Sequence, residues 1–291
     1  MVRPGSPAAA TPVRHVDDAE RRARLARRHA VTPAHRVTDA VESARSVVCL
    51  HATEPATVYL SAFARVRDLE HAHVADALYR DRTLVKQLAM RRTLFAAPRD
   101  LLPAVLGSVS ARVAGQQRSR LEREVEAAGV ATDGPAWVAT YAEEVLGALG
   151  THGPLTVQEL CAVSALLATR LGDPDGPTHP LTARVLTVLG AEGRVVRGVQ
   201  ELGWRSSRPR WTLVEDWLGE RPVPLDVEPG YAELVRRWLA AFGPGTEDDL
   251  VWWSGSTRAA VRRALADLGA VTVSLDGGGV GHLLPDDVEP E

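Results

Sequence analysis

Three arginines lie between two tryptophans in the stretch Gly203-Trp-Arg-Ser-Ser-Arg-Pro-Arg-Trp211. Arg205, Arg208 and Arg210 offer cations for phosphates, and aromatic rings interleaved with basic side chains suit nucleic acid. The alternative for Trp204 and Trp211 is a structural one, anchoring a hairpin on a core. Other chemistries find less support. The histidines form no His-x-x-x-His pair, and His71 and His73 stand two apart in a segment of helical period, so they cannot chelate together. The two cysteines, Cys49 and Cys161, are read as members of apolar helical patterns, and their spacing makes neither a disulfide framework nor a zinc site. No Walker loop, dinucleotide-binding glycine motif or serine-hydrolase signature occurs. Gly277-Gly-Gly279 reads as a hairpin turn. No metal and no cofactor is expected.

Charge is unevenly spread. Residues 1–125 hold 21 Lys and Arg against 13 Asp and Glu, a balance of +8, whereas residues 126–291 hold 13 against 24, a balance of −11. A basic half can bind a polyanion even when the whole chain is acidic. Lys86 is the sole lysine; the other 33 basic residues are Arg, as a high-GC coding bias would produce. No run of 18 apolar residues exists to cross a membrane, and Met1–Arg14 lacks the apolar centre of a signal peptide. The expected setting is the cytoplasm.

The elements that must position these groups are mostly helical in period. Asp17–His29 forms a charged helix with acids leading and arginines following. A second helix is expected from Asp39 to Leu50, its buried stripe being Val41, Ala44, Val47 and Val48, with Pro55 as its stop. Residues 56–66 and 69–79 continue in helical period. Thr93–Pro98 reads as a strand, followed by helices over residues 99–128 and 136–149. An internal repeat then begins: Gly153-Pro-Leu-Thr-Val-Gln-Glu-Leu160 matches Gly243-Pro-Gly-Thr-Glu-Asp-Asp-Leu250, and Arg184 to Ala191 matches Arg263 to Ala270. The first copy carries an eleven-residue insertion around Gly172–Pro177. Each copy gives an N-capped helix, a second helix, a glycine turn and a hairpin, the winged-helix pattern. Such a unit can bind DNA through its second helix or its wing. The second copy's wing, Asp276-Gly-Gly-Gly279, is acidic and unsuited to phosphate.

Four stretches carry a family resemblance: Val47-Val-Cys-Leu-His-Ala-Thr-Glu-Pro55, Leu88-Ala-Met-Arg-Arg-Thr-Leu-Phe95, Thr246–Trp253 and Leu283-Leu-Pro-Asp-Asp287. With them the chain resembles the AlkZ/YcaQ-like DNA glycosylases from about residue 20 onward. The resemblance implies a mainly α fold with short β hairpins, tandem winged-helix units in a C-shaped arrangement, and excision of bulky alkylated or crosslinked purines from duplex DNA. It divides the chain into a flexible tail (1–16), a basic winged-helix-like domain with the candidate site (17–130), and further units at 134–220 and 228–291. The last unit is expected to lack the family's C-terminal portion. A nucleoid-associated monomer follows, with duplex DNA as partner and no membrane.

The family's catalytic Gln-x-Gln or Gln-x-Asp pair corresponds here to His51 and Thr53, the His-x-Thr form of another branch. An N7- or N3-alkylated purine is cationic and leaves readily, so a modest base or mere positioning of water suffices. A neutral His51 could take the water's proton, and Thr53 could hold the water or a phosphate oxygen. Residues two apart share a side only in an extended segment, so the chain would have to leave the helix near Leu50. The alternative for His51 is to cap a helix end by binding a free carbonyl. Arg91 and Arg92 could clamp phosphates beside the site, or else pair with Asp81 or Asp100; Arg65 is a third candidate. Two other functions remain open: a non-enzymatic winged-helix DNA binder (regulator or lesion binder), and a scaffold for protein partners.

Overall fold

The computed structural model describes residues 11–172, 179–200, 203–206 and 208–290. Residues 1–10 of the expected tail, and 173–178 of the insertion, lie outside the described residues. The rest of the tail differs from expectation. His15–Val16 (β1) is a short strand, with Val16 fully buried. The helix α1 (Asp18–Arg28) follows, N-capped by Asp17. The expected second helix is shorter than its apolar period suggested: α2 (Ala40–Arg45) ends before Val47 and Val48. Val48 adopts φ +69°, a costly conformation for a β-branched residue, and the chain continues extended as β2 (Leu50–His51). Cys49 lies in this irregular stretch and not in a helix. Pro55 does not terminate a helix but opens one, α3 (Pro55–Phe63), where its missing N–H costs nothing.

Next come α4 (His71–Ala75), which runs into a wider π-helical turn over Asp76–Arg80, and the hairpin β3 (Leu84–Leu88) and β4 (Leu94–Pro98). β4 is the strand expected at 93–98; β3, a run of apolar residues interrupted by Lys86 and Gln87, had no clear alternation to reveal it. α5 (Leu102–Val105) and α6 (Ala111–Ala127), joined by another π-helical turn, replace the single long helix, and α7 (Gly134–His152) follows.

The repeat is realised at both copies. Thr156 and Thr246 each cap a helix reciprocally with an acid three residues on, Glu159 and Asp249, satisfying orphan backbone donors at the helix start. The first copy consists of α8 (Val157–Val163), the short pair β5 (Arg170–Leu171) and β6 (His179–Pro180), α9 (Leu181–Ala191), and the hairpin β7 (Val195–Gln200) and β8 (Pro209–Leu213). α10 (Val214–Leu218) and α11 (Val227–Phe242) lead into the second, with α12 (Glu247–Ser254), α13 (Arg258–Asp267), β9 (Val271–Leu275) and β10 (Val280–Leu283). β1 adds in parallel to β9, extending the second copy's hairpin to three strands. The protein is thus mostly helical with small sheets.

Three apolar clusters hold these elements. One packs α2, α3 and α4 on the sheet β2–β4–β3 through Ala44, Leu50, Val58, Val74 and Leu84. A second joins α6, α7, α9 and the first-copy hairpin around Leu121, Tyr141, Leu160 and Trp211. The largest runs from Met90 and Phe95 through α5 to α11 and α13.

Buried polar groups fasten the pieces. Arg24 is fully buried; its guanidinium donates to Glu20 at 2.8 Å, to Asp287 at 3.0 Å and to the Glu289 carbonyl at 2.6 Å. The Leu-Leu-Pro-Asp-Asp stretch is therefore a tether onto α1. Lys86 on β3 donates to the Tyr79 hydroxyl at 2.6 Å and to Gln200 Oε1 at 3.1 Å, and Tyr79 also donates to Gln200. That triad binds the first sheet to β7.

Two predictions follow from these groups. Removing one member of a buried, hydrogen-bonded charge set leaves the others uncompensated, so Arg24→Ala should destabilise by about 3–5 kcal/mol, read from denaturant unfolding. Hydrogen bonds from Arg14, with Arg24 adding to them, hold the Glu20 carboxyl at about 2, below its usual 4.5; its stabilisation is complete above the unfolded value and fades as pH falls toward 2. Glu20→Gln should flatten that part of the acid unfolding curve, and an unchanged curve would contradict the assignment.

Lys86 behaves oppositely. Burial, reinforced by nearby Arg197, pulls its ammonium down to about 7 from 10.5. The unfolded chain then binds more protons between those values, so stability should rise with pH from 7 until tyrosine ionisation opposes it near pH 10. Lys86→Met should abolish the rise; an equal slope in both proteins would show that Lys86 is not its source.

Candidate active site

The site is built at one end of the sheet β2–β4–β3. Leu50 pairs with Ala96 and His51 with Phe95, and the Ala52 amide donates to the Leu94 carbonyl at 2.9 Å. This ladder fixes residues 50–52 as extended backbone. Ala52 is buried while His51 and Thr53 are exposed, the alternation expected of extended backbone. The chain has thus left the helix before His51, at Arg45.

His51 lies six residues beyond the end of α2, so it caps no carbonyl of that helix. Its imidazole instead meets Phe95 edge to face, with ring centroids 5.6 Å apart and planes at 85°. That contact orients the ring, and the residue is exposed. Cys49, nearby in sequence, offers no nucleophile: burial pushes its thiol up to about 12.

Continuing the register places Thr53 level with Thr93, so the turn Met90–Arg92 occupies the same sheet end. Arg91 and Arg92 take φ +52° and +59°, successive left-handed conformations that non-glycine residues rarely adopt. Both side chains are exposed. Asp81 pairs with Arg80, and Asp100 with Arg45 and Arg237, so the two arginines are not drawn off by those acids. The Arg91 guanidinium lies 4.0 Å over the ring of Trp252, itself exposed on α12. Gly255 admits this approach: a Cβ there would stand 3.0 Å from the Arg91 amide nitrogen and Cγ.

The first-copy hairpin also reaches the site. Thr53, Pro55, Lys86, Arg197, Gln200 and Pro209 line one small cavity. Trp204 approaches Tyr59 and His71, which stack on each other at 4.5 Å. Trp211 is buried as a hairpin anchor, whereas Trp204 keeps 38% of its surface. The three hairpin arginines part company. Arg205 and Arg208 are exposed, but Arg210 forms a two-pronged ion pair with Glu159 at 2.9 and 3.0 Å. Arg65 is not brought to the site. It follows α3 at the end remote from Thr53, turns back to donate to the Ser61 carbonyl at 2.9 Å, and is half-buried with its Nε unpartnered.

Sequence reasoning missed Lys86, Arg197, Gln200, Phe95 and Trp252. A lone lysine within an apolar run was the available signal for the first. Among the described residues no cluster of three or more histidine, cysteine or carboxylate side chains could hold a metal ion, and no helix is long and apolar enough to cross a membrane.

A family model described as DNA glycosylase AlkZ-like matches residues 44–291. No curated protein matches the chain. Among solved structures, the Streptomyces sahachiroi DNA glycosylase AlkZ is similar, with a TM-score of 0.72 at 19% identity over 94% of this chain and 71% of the other. At that identity the likeness speaks to the fold, and the family match spans both the His51–Thr53 segment and the repeat; the chain belongs to the AlkZ-like DNA glycosylase family.

Proposed function

We propose that the protein is a monofunctional glycosylase that removes bulky alkylated purines, N7- or N3-substituted, from duplex DNA. The observation that carries this is the exposed pair His51 and Thr53 at the end of β2, outside any helix. In this reading Thr53 and His51 hold a water against C1′ of the sugar. As the bond to the cationic base breaks, the water adds to C1′ and the His51 imidazole takes its proton. The purine departs as a neutral leaving group, which is why one modest base is enough.

Arg91, Arg92, Arg205 and Arg208 are the exposed arginines that would contact phosphates around this centre. Arg210 is left out because Glu159 holds it, and Arg65 because it faces away. The repeated helix–helix–hairpin units are read as winged helices that grip DNA through the first copy's wing. Their second helices are poor candidates: α9 is largely buried, and the α13 arginines Arg258, Arg262 and Arg263 pair with Asp248, Glu247 and Asp267.

The test is a variant series on an N7-alkylguanine duplex. His51→Ala should slow excision by roughly 10²–10⁴-fold, the usual worth of a positioned base, with little change in affinity for lesion DNA. Thr53→Ala should cost less, and His51→Gln should keep part of the activity because an amide still orients water. Undiminished excision by folded His51→Ala would remove this residue from the mechanism; DNA binding without excision by the wild type would favour the non-enzymatic binder. Affinity should also fall with salt by about 0.9 in logarithmic slope per phosphate contact, and a flat dependence would count against the phosphate grip.

A further inference from the structure

Behind Thr53 lie a buried lysine and a half-buried arginine with no carboxylate beside them. Lys86 is 94% buried (6% exposed). It donates to two neutral acceptors, Tyr79 and Gln200, and its third N–H has no partner among the described residues. Arg197 lies with its guanidinium 5.1 Å from the Trp211 ring centroid and makes no ion pair or hydrogen bond through its side chain among the described residues. No carboxylate there pairs with either group. Buried charge is expensive unless paired, and elsewhere this chain pairs it, as at Arg24.

Both cations line a cavity of about 10 Å³ whose other walls include Thr53, Pro55, Gln200 and Pro209. That is room for a single oxygen atom. Thr53, one of its lining residues, is exposed, so an anion held by DNA could approach it from solvent. A purine offers no full negative charge to balance two cations. A phosphodiester can project one of its two non-bridging oxygens into such a space, and duplex DNA is the polyanion that the proposed function already brings to this sheet end.

We propose that Lys86 and Arg197 form a phosphate subsite, taking one non-bridging oxygen of the backbone phosphate next to the nucleotide whose sugar lies at His51 and Thr53. The proposal rests on the DNA reading above and adds to it a contact that fixes the register of the strand. The Tyr79–Gln200 pair holds the ammonium in place, and the phosphate supplies the counter-charge that the fold leaves out.

Because Lys86 is the only lysine, protein carrying ¹³C-lysine gives one Cε resonance. Its pH titration is followed in the free protein, with inorganic phosphate, and with duplex DNA whose binding is monitored separately by fluorescence polarisation. Saturating duplex should raise the midpoint by about one to three pH units, as an adjacent anion does. In parallel, the Lys86→Met/Arg197→Met double variant should lower the salt slope of binding by about 1, the loss of one phosphate contact. Duplex that binds without moving the midpoint would overturn the subsite and leave the glycosylase reading intact. A midpoint moved by inorganic phosphate but not by duplex would also overturn it, marking a site for free phosphate. Failure to bind duplex at low salt would overturn both proposals. The resonance is read on the wild-type protein, so the answer does not depend on the variant folding.

Discussion

The site depends on a short ladder: Leu50 on Ala96, His51 on Phe95, and the Ala52 amide on Leu94. Had α2 continued to Leu50 in its apolar period, His51 and Thr53 would have pointed to nearly opposite sides of a helix. The chain leaves that period at Arg45, and Val48 takes a left-handed conformation to turn toward the sheet. Such a residue costs about 1–3 kcal/mol. Burial of Val48, Cys49 and Leu50 against the cores offsets it, since each buried apolar side chain of the Val or Leu class contributes about 1.5–3 kcal/mol. The turn is therefore held by packing on both sides, and the ladder keeps residues 50–52 extended.

The second requirement is that the first-copy hairpin stay docked against this segment. Lys86, Tyr79 and Gln200 tie β3 to β7, and the Tyr59–His71 stack receives Trp204. Such contacts sort the arginines more finely than net charge does. Arg24, Arg45, Arg210 and Arg237 are engaged in ion pairs that build the fold. Arg91, Arg92, Arg205 and Arg208 stay exposed, and Arg197 waits, half-buried, without a counter-ion. The basic balance of the first half overstates what is free to meet a polyanion, while the acidic half contributes two of the exposed cations.

Much of this was legible in the sequence where local signals are strong. The Thr-x-x-acid boxes marked both helix starts of the repeat, and the hairpins after them stood out by β-branched runs and glycines. His51 and Thr53 were nominated through their motif. What escaped was set by tertiary contacts. Val47 and Val48 fit a helical stripe, yet the sheet claimed the next residues, and Pro55 reads as a stop although it begins α3. β3 is buried from Leu84 to Gln87, so it lacks the alternation that identifies half-exposed strands. Arg65 and Arg210 carry the same charge as their exposed neighbours; only the fold shows that one turns back on its own helix and the other meets Glu159.

The central claim is that this sheet end performs excision and does not merely bind. It is tested most directly by single-turnover reaction of the wild-type protein with a duplex bearing one N7-alkylguanine, the released base being measured by chromatography and the abasic site by alkali cleavage. The account predicts free alkylguanine and an equal amount of abasic strand, formed faster than spontaneous depurination. A duplex that is fully bound while its base is lost no faster than in buffer would contradict it.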